Sequence, residues 1–326
     1  MKESFDVSLG NVSKNEELGE WYLNYSSVID LIQSGFYGGL DKNGIPIVDY
    51  DKIFKNNLWY ISKYKKDSFG IHYAPVTIAQ YAFGLLSKYK KDNDENKLIL
   101  FKKCADWFIA NVKDMGSFGV WEHTWIEPIY DLKPPWISAM TQGEAISLLL
   151  RAYQVFNDNK YFYFAEKAFN SFKETNIVYT DKYNNIWYEE NPTNPPNHIL
   201  NGFIFALFGL FDFYRIEQDE ESFRLWNEGI KTLEKNIHRY DSGYWSKYDL
   251  LFGRITSDDY HNLHICQLKV LYNLTGIETF NNFYNKWEGY KKSKICHLKR
   301  KINGRFYNRI ISKFKQKRYN SIMKEN

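Results

Sequence analysis

Segments with helical periodicity occur in pairs along most of this 326-residue chain. In each segment apolar residues recur at steps of three or four, which places them on one face of a helix. The predicted helices cover residues 75–90, 97–112, 139–155, 161–174, 198–214, 220–237, 260–274 and 278–290. We therefore expect an all-α protein built from helical hairpins.

A short tryptophan-bearing loop follows each of three successive helical pairs, at Trp121, Trp187 and Trp245. These spacings of 66 and 58 residues fit one hairpin plus its loops, so the pattern is an internal repeat. Repeated hairpins stack into an open solenoid or close into a ring. Closure would bring the three loops to one end, around a shared cavity, so we predict an (α/α) toroid. Before the helices, GGLDKNGIPIVDYD contains an Asn-Gly turn, which predicts a small β-hairpin beside the opening.

Aromatic residues make up 18% of the chain, with 26 Tyr and 10 Trp. Rings on accessible loops suit the C–H faces of sugars, although large helical cores also use many aromatic residues. A carbohydrate ligand is therefore compatible with the composition, but composition alone does not establish it.

The cysteines and the N-terminal sequence indicate a reduced, cytoplasmic protein. Cys104, Cys266 and Cys296 are widely spaced and odd in number, which predicts neither a disulfide framework nor a zinc site. The opening MKESFDVSLG lacks the apolar core of a signal peptide, and no apolar run is long enough to span a membrane.

Charge divides the chain into a body and a tail. Residues 291–326 hold 13 Lys or Arg and one Glu, a formal charge of +12, which leaves 30 basic and 38 acidic residues, or −8, in the rest. The tail also has apolar residues at helical steps: Ile295, Leu298, Ile302, Phe306, Ile310 and Phe314. A basic amphipathic helix suits an anionic membrane surface, and a terminal helix packed on the body is an equal alternative. Without an RNP, KH or zinc-knuckle pattern, nucleic acid is disfavoured as the partner of the tail.

The chain is predicted to have three parts. We expect an N-terminal extension at 1–70, a toroid at 71–290 and a tail at 291–326.

Two loops concentrate residues of the types that take part in acid–base chemistry or bind ligands. The first, NNIWYEENP at 184–192, places two rings beside Glu189 and Glu190; the bland interpretation is a connector with solvated carboxylates, or with Glu189 bracing the loop. The second, at 244–267, contains HNLH, whose paired histidines lack a third ligand, so we predict no metal site. Asp258 and Asp259 are expected to be N-cap residues, and Ser138 to cap the helix at 139.

Four motifs in order resemble the catalytic domain of the D-glucuronyl C5-epimerases, which convert glucuronate to iduronate in heparin and heparan sulfate precursors. They are YAPVTIAQYAFG, PWISAMTQGEAISLLLRAY, WYEENPTNPPNHILNGF and DDYHNLHICQL, within residues 70–290. The resemblance implies an (α/α) toroid that binds a uronic-acid polymer and abstracts the C5 proton without a cofactor. Such chemistry needs a proton carrier on each sugar face and stabilisation of an enolate-like intermediate.

The resemblance also implies residue roles. The family's catalytic Glu and two of its tyrosines fall on Glu190, Tyr248 and Tyr260, with Glu190 and Tyr260 as proton carriers and Tyr248 stabilising or relaying. A third family tyrosine is replaced by Asn191, which cannot carry a proton through the reaction. If that position is indispensable, the chain is inactive or uses another residue such as Tyr188. The expected substrate-binding residues are Tyr73, Gln80, Trp136, Gln142, Tyr188, Asn191, Asn201, Arg254, His261 and His264. Packing or helix-capping roles fit Trp136 and Asn201 equally well, and a structural role is favoured for Tyr73 and Arg254.

Other functions remain open at the level of sequence. A lyase would expel the C4 substituent from the same carbanion, and a glycoside hydrolase would pair Glu190 with Asp249 or Asp259. A uronate-binding protein that lost activity at Asn191 is the non-enzymatic alternative. The leading prediction is a C5-epimerase acting on a capsular, lipid-linked or heparosan-like polysaccharide, held near the inner face of the cell membrane by its tail.

Overall fold

The computed structural model describes residues 17–35, 37–55 and 69–303. Its helices confirm the eight predicted segments, with ends that differ by less than one turn, and add two short helices before residue 56. They are α1 (Ser26–Gln33), α2 (Tyr50–Lys55), α3 (Pro75–Asp92), α4 (Glu95–Asn111), α5 (Ala139–Phe156), α6 (Asn159–Glu174), α7 (Leu200–Glu217), α8 (Glu220–Asn236), α9 (Asp258–Thr275) and α10 (Glu278–Lys292). A 3-10 helix at Ile237–Tyr240 follows α8, and residues 294–303 are helical after α10.

Three of the helical hairpins share the same motif in the turn between their two helices. A left-handed residue ends the first helix, and the aspartate that follows caps the second helix by accepting a backbone N–H. These pairs are Asn93–Asp94, Asn157–Asp158 and Gln218–Asp219. The repeat seen in the sequence is therefore a repeat of turn chemistry as well as of length.

The helices that start each repeat have serine caps in two cases. Ser138 caps α5 by accepting from the Thr141 amide, as predicted. The expected caps of α9 were wrong, because Ser257 accepts from the Tyr260 amide. Asp258 and Asp259 lie in the first turn instead, where negative charge is favourable to the helix dipole.

Alternate helices form two layers, which confirms the toroid. Helices α3, α5, α7 and α9 are successive neighbours on the inside, and α4, α6, α8 and α10 each pack on the outside of their own hairpin partner. The inner helices α5 and α7 approach closely because glycines face each other: a Cβ added at Gly209 would lie 2.2 Å from the Gly143 carbonyl oxygen. We call the end where the inner helices begin the mouth.

Short β-strands lie around the mouth, in the segments that precede the inner helices. The predicted hairpin is present as β1 (Gly38–Leu40) and β2 (Pro46–Asp49), joined on the other side of β2 by β3 (Ile71–His72) in an antiparallel sheet. Two further hairpins precede α5 and α7: β4 (Lys113–Asp114) with β5 (Gly119–Val120), and β6 (Val178–Thr180) with β7 (Ile186–Tyr188).

The end opposite the mouth is closed by the first described residues. Trp21 stacks on Phe83 with ring centroids 4.2 Å apart, and the Tyr22 hydroxyl donates to Asp212 Oδ1 at 2.7 Å. Asp212 also pairs with Arg151 at 2.6 Å, and both side chains are almost fully buried. The segment before residue 70, expected to be an extension, thus contributes to the same hydrophobic core as the hairpins.

The C-terminal tail is described only as far as residue 303, so Phe306, Ile310 and Phe314 lie outside the described residues. Within the described ranges, no helix combines the length and the apolar character needed to cross a bilayer.

Candidate active site

Backbone contacts hold the loops of the mouth against one another. The Leu200 amide donates to the Tyr248 carbonyl at 3.0 Å, and the Ala139 amide donates to the Glu189 carbonyl at 2.9 Å. The loop before α5, the loop before α7 and the loop before α9 are thereby fixed as one unit. Side chains from different repeats can meet there at defined distances.

The three side chains expected to carry chemistry do meet. The Tyr248 hydroxyl lies 3.5 Å from Glu190 Oε1, and the Tyr260 ring packs edge-on against the Tyr248 ring with centroids 5.0 Å apart. Asn201 Nδ2 donates to the other carboxyl oxygen, Glu190 Oε2, at 3.3 Å. An acid and two phenols are thus brought together at the mouth.

The pKa values of both Glu190 and Tyr260 are raised above their ordinary values. Burial raises the pKa of Glu190 to about 8, Glu127 adds to that increase, and Arg254, Tyr248 and Asn201 oppose it. Desolvation and then the charge of Glu190 raise the pKa of Tyr260 to about 12, although 42% of this side chain is exposed. At neutral pH the tyrosine is therefore a phenol, and the carboxyl group is divided between its two forms.

Arg254 supplies positive charge beside the cluster. Its guanidinium lies over the Tyr248 ring, 4.5 Å from the centroid, and its Nε donates to the buried Asp249 at 2.6 Å. A second guanidinium nitrogen donates to the Tyr130 hydroxyl. These contacts fix the cation in one orientation, paired with Asp249, and its charge still acts on the cluster by opposing the rise in the pKa of Glu190.

A second carboxyl group lies deeper in the toroid. Glu144, on α5, is fully buried and accepts from Gln80 Nε2 at 3.0 Å, whereas its Oε2 has no hydrogen-bond partner. Burial raises the pKa of Glu144 well above its usual range, and Glu190 adds to the shift, so burial favours the neutral form of this carboxyl group. Burial likewise raises the pKa of Glu127 to about 7.

Sequence reasoning did not include Glu127, Tyr130, Glu144 or Gly202 in the site. Glu144 had a detectable signal, since it interrupts the apolar residues of a helix that is otherwise almost entirely buried. Gly202 packs directly against the Glu190 side chain: a Cβ at this position would lie 2.2 Å from Glu190 Oε2. A side chain at this position would therefore displace the carboxyl group.

Several predicted substrate-binding residues lie away from this cluster. Tyr188 is buried and its hydroxyl donates to the Leu225 carbonyl at 2.5 Å. Gln142 is buried and donates to the Gly119 carbonyl and to Ser171, each at 2.8 Å. Both side chains brace the layers of the toroid.

The two histidines of HNLH also have internal partners. Ser246 Oγ lies 2.8 Å from His261 Nδ1 and 3.1 Å from His264 Nδ1. Burial lowers the pKa of His261 to about 4 and that of His264 to about 3, so both are neutral. Across the described ranges, no group of three His, Cys, Asp or Glu residues is arranged to hold a metal ion.

The NNIWYEENP loop is anchored from within. Trp187 is buried and stacks on His198 at 4.1 Å, and Glu189 accepts from both the His198 amide at 3.0 Å and its ring nitrogen at 2.5 Å. Glu189 therefore braces the loop, and Glu190 turns toward the cluster. Asn191 follows directly and is buried, with its carbonyl accepting from Asn197.

Trp136 and Tyr73 lie at the periphery of the mouth. Trp136 stacks on His123 at 3.9 Å and lines a cavity of about 310 Å3 together with Lys113, Lys133, Phe118 and Pro192. Tyr73 is exposed and donates to Asp41 at 2.8 Å. The cavity does not include Glu190, Tyr248 or Tyr260, so it is separate from the cluster.

Comparison with known proteins agrees with this architecture. A solved α-1,6-mannanase of glycoside hydrolase family 76 from Salegentibacter sp. HEL1_6 superposes with a TM-score of 0.51 at 17% identity, covering 83% of this chain and 71% of that one. At this identity the likeness concerns the fold alone. The molecule is thus an (α/α) toroid with an acid and two tyrosines at its mouth.

Sequence comparison defines the family. The family model described as D-glucuronyl C5-epimerase C-terminus matches residues 113–289, and the chain belongs to this family. It is 32% identical over 255 residues to the D-glucuronyl C5-epimerase of Caenorhabditis elegans, covering 71% of this chain and 41% of the relative. An uncharacterized protein of Methanocaldococcus jannaschii is 33% identical over 191 residues, covering 56% of this chain and 62% of that protein. The chain thus spans less than two thirds of either relative.

Proposed function

We propose that this protein is a C5-epimerase that converts D-glucuronate to L-iduronate residues within a polysaccharide. Family membership supports the reaction class. The observation that carries the proposal is the cluster in which Glu190, from the loop before α7, meets Tyr248 and Tyr260, from the loop before α9 and the start of α9. It contains the two kinds of proton carrier that the reaction requires.

The raised pKa values of Glu190 and Tyr260 support the roles of base for Glu190 and acid for Tyr260. The ionised form of Glu190 takes the proton from C5, and the electron pair of that C–H bond moves into the carboxylate to form an enolate. The Tyr260 phenol then donates its proton to C5 from the opposite face. Tyr248, which touches both residues, returns the proton from Glu190 to the Tyr260 phenolate and restores the site.

Positive charge and hydrogen bonds stabilise the intermediate. Arg254 offsets the second negative charge that develops on the uronate carboxylate, and Asn201 orients Glu190 through its amide. Burial raises the pKa of Glu144 well above its usual range, which disfavours a second negative charge in the interior near Glu190. Lys133 and Trp136, around the separate cavity, suit a neighbouring acidic sugar of the polymer, whereas Lys113 is already paired there with Glu122 at 2.6 Å.

Asn191 is compatible with this scheme. The proton path uses Glu190, Tyr248 and Tyr260, so the residue after Glu190 need not transfer a proton. Asn191→Tyr therefore leaves the exchange rate within a few fold of wild type. Activity that appears only in the Asn191→Tyr protein would instead identify a binding protein with a degenerate site.

The test is incubation with heparosan, a glucuronate polymer, in heavy water, followed by NMR. We expect deuterium at C5 and iduronate signals. Unsaturated ends at C4–C5 would show that the carbanion expels its substituent and that the protein is a lyase. Binding without exchange would overturn the proposal.

Two matched tyrosine variants test the site. Tyr248→Phe should lower the rate of C5 exchange by about 100-fold or more, because it removes a group that transfers protons. Tyr188→Phe is the control, since it deletes a hydroxyl that is bonded only in the core. We expect the control to lose about 1 kcal/mol of stability and to keep its exchange rate. Equal losses of activity would contradict the assignment.

A further inference from the structure

The helix at residues 294–303, which we call the C-terminal helix, leaves its apolar residues in solvent. Ile295, Leu298 and Ile302 are 68%, 58% and 56% exposed. Viewed down the axis, their spacing places them within an arc of roughly 60°. The sequence left open whether these residues pack on the body, and in the described residues they do not.

The opposite side of the C-terminal helix is attached to the body. Arg300 donates to Asp258 at 2.7 Å and its guanidinium lies 5.4 Å from the Trp245 ring centroid. His297 contacts the same tryptophan ring, with centroids 5.0 Å apart. Since Arg300 and His297 point away from the apolar arc, these contacts fix the arc facing outward.

The attachment point is next to the candidate active site. Asp258 begins α9, whose third residue is Tyr260, and Trp245 lies in the loop that leads to Tyr248. The apolar arc therefore faces outward beside the mouth. Its position relative to the site is set by a salt bridge and ring contacts.

Charge on the exposed part of the helix has one sign. Lys294 and Lys301 flank the apolar arc on one side and Lys299 on the other, and all three are exposed. Residues 291–303 contain no Asp or Glu. A polyanion such as a nucleic acid would pair with the lysines and leave the isoleucines and the leucine in water.

We propose that the C-terminal helix docks on an anionic lipid bilayer, with Ile295, Leu298 and Ile302 entering the boundary between head groups and acyl chains. The flanking lysines pair with the anionic head groups, so both features of the surface find complementary partners. Docking through this face holds the start of α9, to which the helix is attached, close to the membrane. It does not depend on the proposed reaction.

Sedimentation of the full chain with vesicles tests the proposal. Wild type should bind vesicles of equal parts phosphatidylglycerol and phosphatidylcholine at least tenfold more tightly than pure phosphatidylcholine, and 0.5 M salt should weaken the binding. The triple variant Ile295→Asn, Leu298→Asn, Ile302→Asn, which keeps the net charge, should lose at least tenfold in affinity. Ile99→Asn is the control, because Ile99 is an exposed isoleucine on α4, and it should bind as wild type.

Other outcomes would overturn membrane docking. Binding that is unchanged in the triple variant would show that the apolar arc does not enter the bilayer. Absence of vesicle binding, together with a dimer that the triple variant abolishes, would assign the surface to a second copy of this chain. Tighter binding to duplex DNA than to the anionic vesicles would assign it to nucleic acid.

Discussion

Glu190 and Glu189 are adjacent in the chain but have different surroundings. Glu189 accepts two hydrogen bonds from His198, whereas Glu190 has only the longer contacts from Tyr248 and Asn201. The weaker hydrogen bonding leaves burial as the dominant influence on Glu190, and its pKa rises to about 8. The difference between a bracing residue and a candidate base is therefore set by what each carboxyl group contacts.

The raised pKa of Glu190 predicts a pH profile. If its ionised form is the base, the rate of C5 exchange should rise about tenfold per pH unit below pH 8 and level off above it. Measurement between pH 6 and 9 checks this, with Glu190→Gln as the variant that should lack the activity. A wild-type rate independent of pH over this range would contradict the assignment.

The same residue makes a linked contribution to stability. The pKa of Glu190 is higher in the folded protein than its ordinary value. The free energy of unfolding is therefore highest in acid, where the carboxyl group is protonated in both states, and it falls as pH rises toward 8. The Tm of Glu190→Gln relative to wild type should therefore increase from pH 5 to pH 8 and then level. A constant difference would show that the carboxyl group does not change its ionisation.

Residues of the site were predictable where they belong to long motifs, and less so where a distant contact defines them. Glu190 and Tyr260 come from the quoted motifs, Tyr248 comes from the loop at 244–267, and the three lie together. Gly202 is important only because α7 passes beneath Glu190, and no local pattern shows that. Tyr188 has the same residue type as the site tyrosines, but in β7 both Trp187 and Tyr188 are buried, and the Tyr188 hydroxyl donates to the Leu225 carbonyl.

At the scale of elements, the long helices were predictable because each buries a continuous apolar face. The exceptions are short: α1 has eight residues and buries only Ile29 and Ile32, too few for a clear period. The caps of α9 were wrong because serine and aspartate are both good caps and stand side by side at Ser257 and Asp258.

The glycine contact between α5 and α7 gives a stability prediction. Gly209→Ala should destabilise the protein by about 1–3 kcal/mol, since the new Cβ would overlap the Gly143 backbone and force the helices apart. Gly289→Ala is the control, because an added Cβ on α10 meets no atom within 4 Å. It should stabilise by about 0.5–1 kcal/mol through helix propensity. Urea denaturation of both variants makes the comparison, and equal effects would contradict the close approach.

At the scale of the whole molecule, one buried network ties the start of the described chain to two inner helices. Asp212 on α7 accepts from Tyr22, from Ser147 and from Arg151 on α5. Arg151 also donates to the Gly19 carbonyl at 3.2 Å. The network joins residues far apart in sequence, so neither helical periodicity nor the motifs predicted it.

Asp212→Asn should destabilise the fold by about 3–5 kcal/mol, because it leaves the Arg151 charge buried without its counter-ion. Glu221→Gln breaks an exposed pair with Arg224 and should cost about 1 kcal/mol or less. Denaturant titration measures both free energies of unfolding. A similar small cost for the two variants would show that Arg151 is hydrated in the folded protein.

The parallel start of α3, α5, α7 and α9 at the mouth has an electrical consequence. Each helix carries a partial positive charge of roughly half a unit at its N-terminus, from aligned peptide dipoles. Four such ends converge on a single opening, although the residues before 291 carry a formal charge of −8. The backbone itself therefore creates a local field that draws anions toward the mouth of a body whose side chains would otherwise repel them.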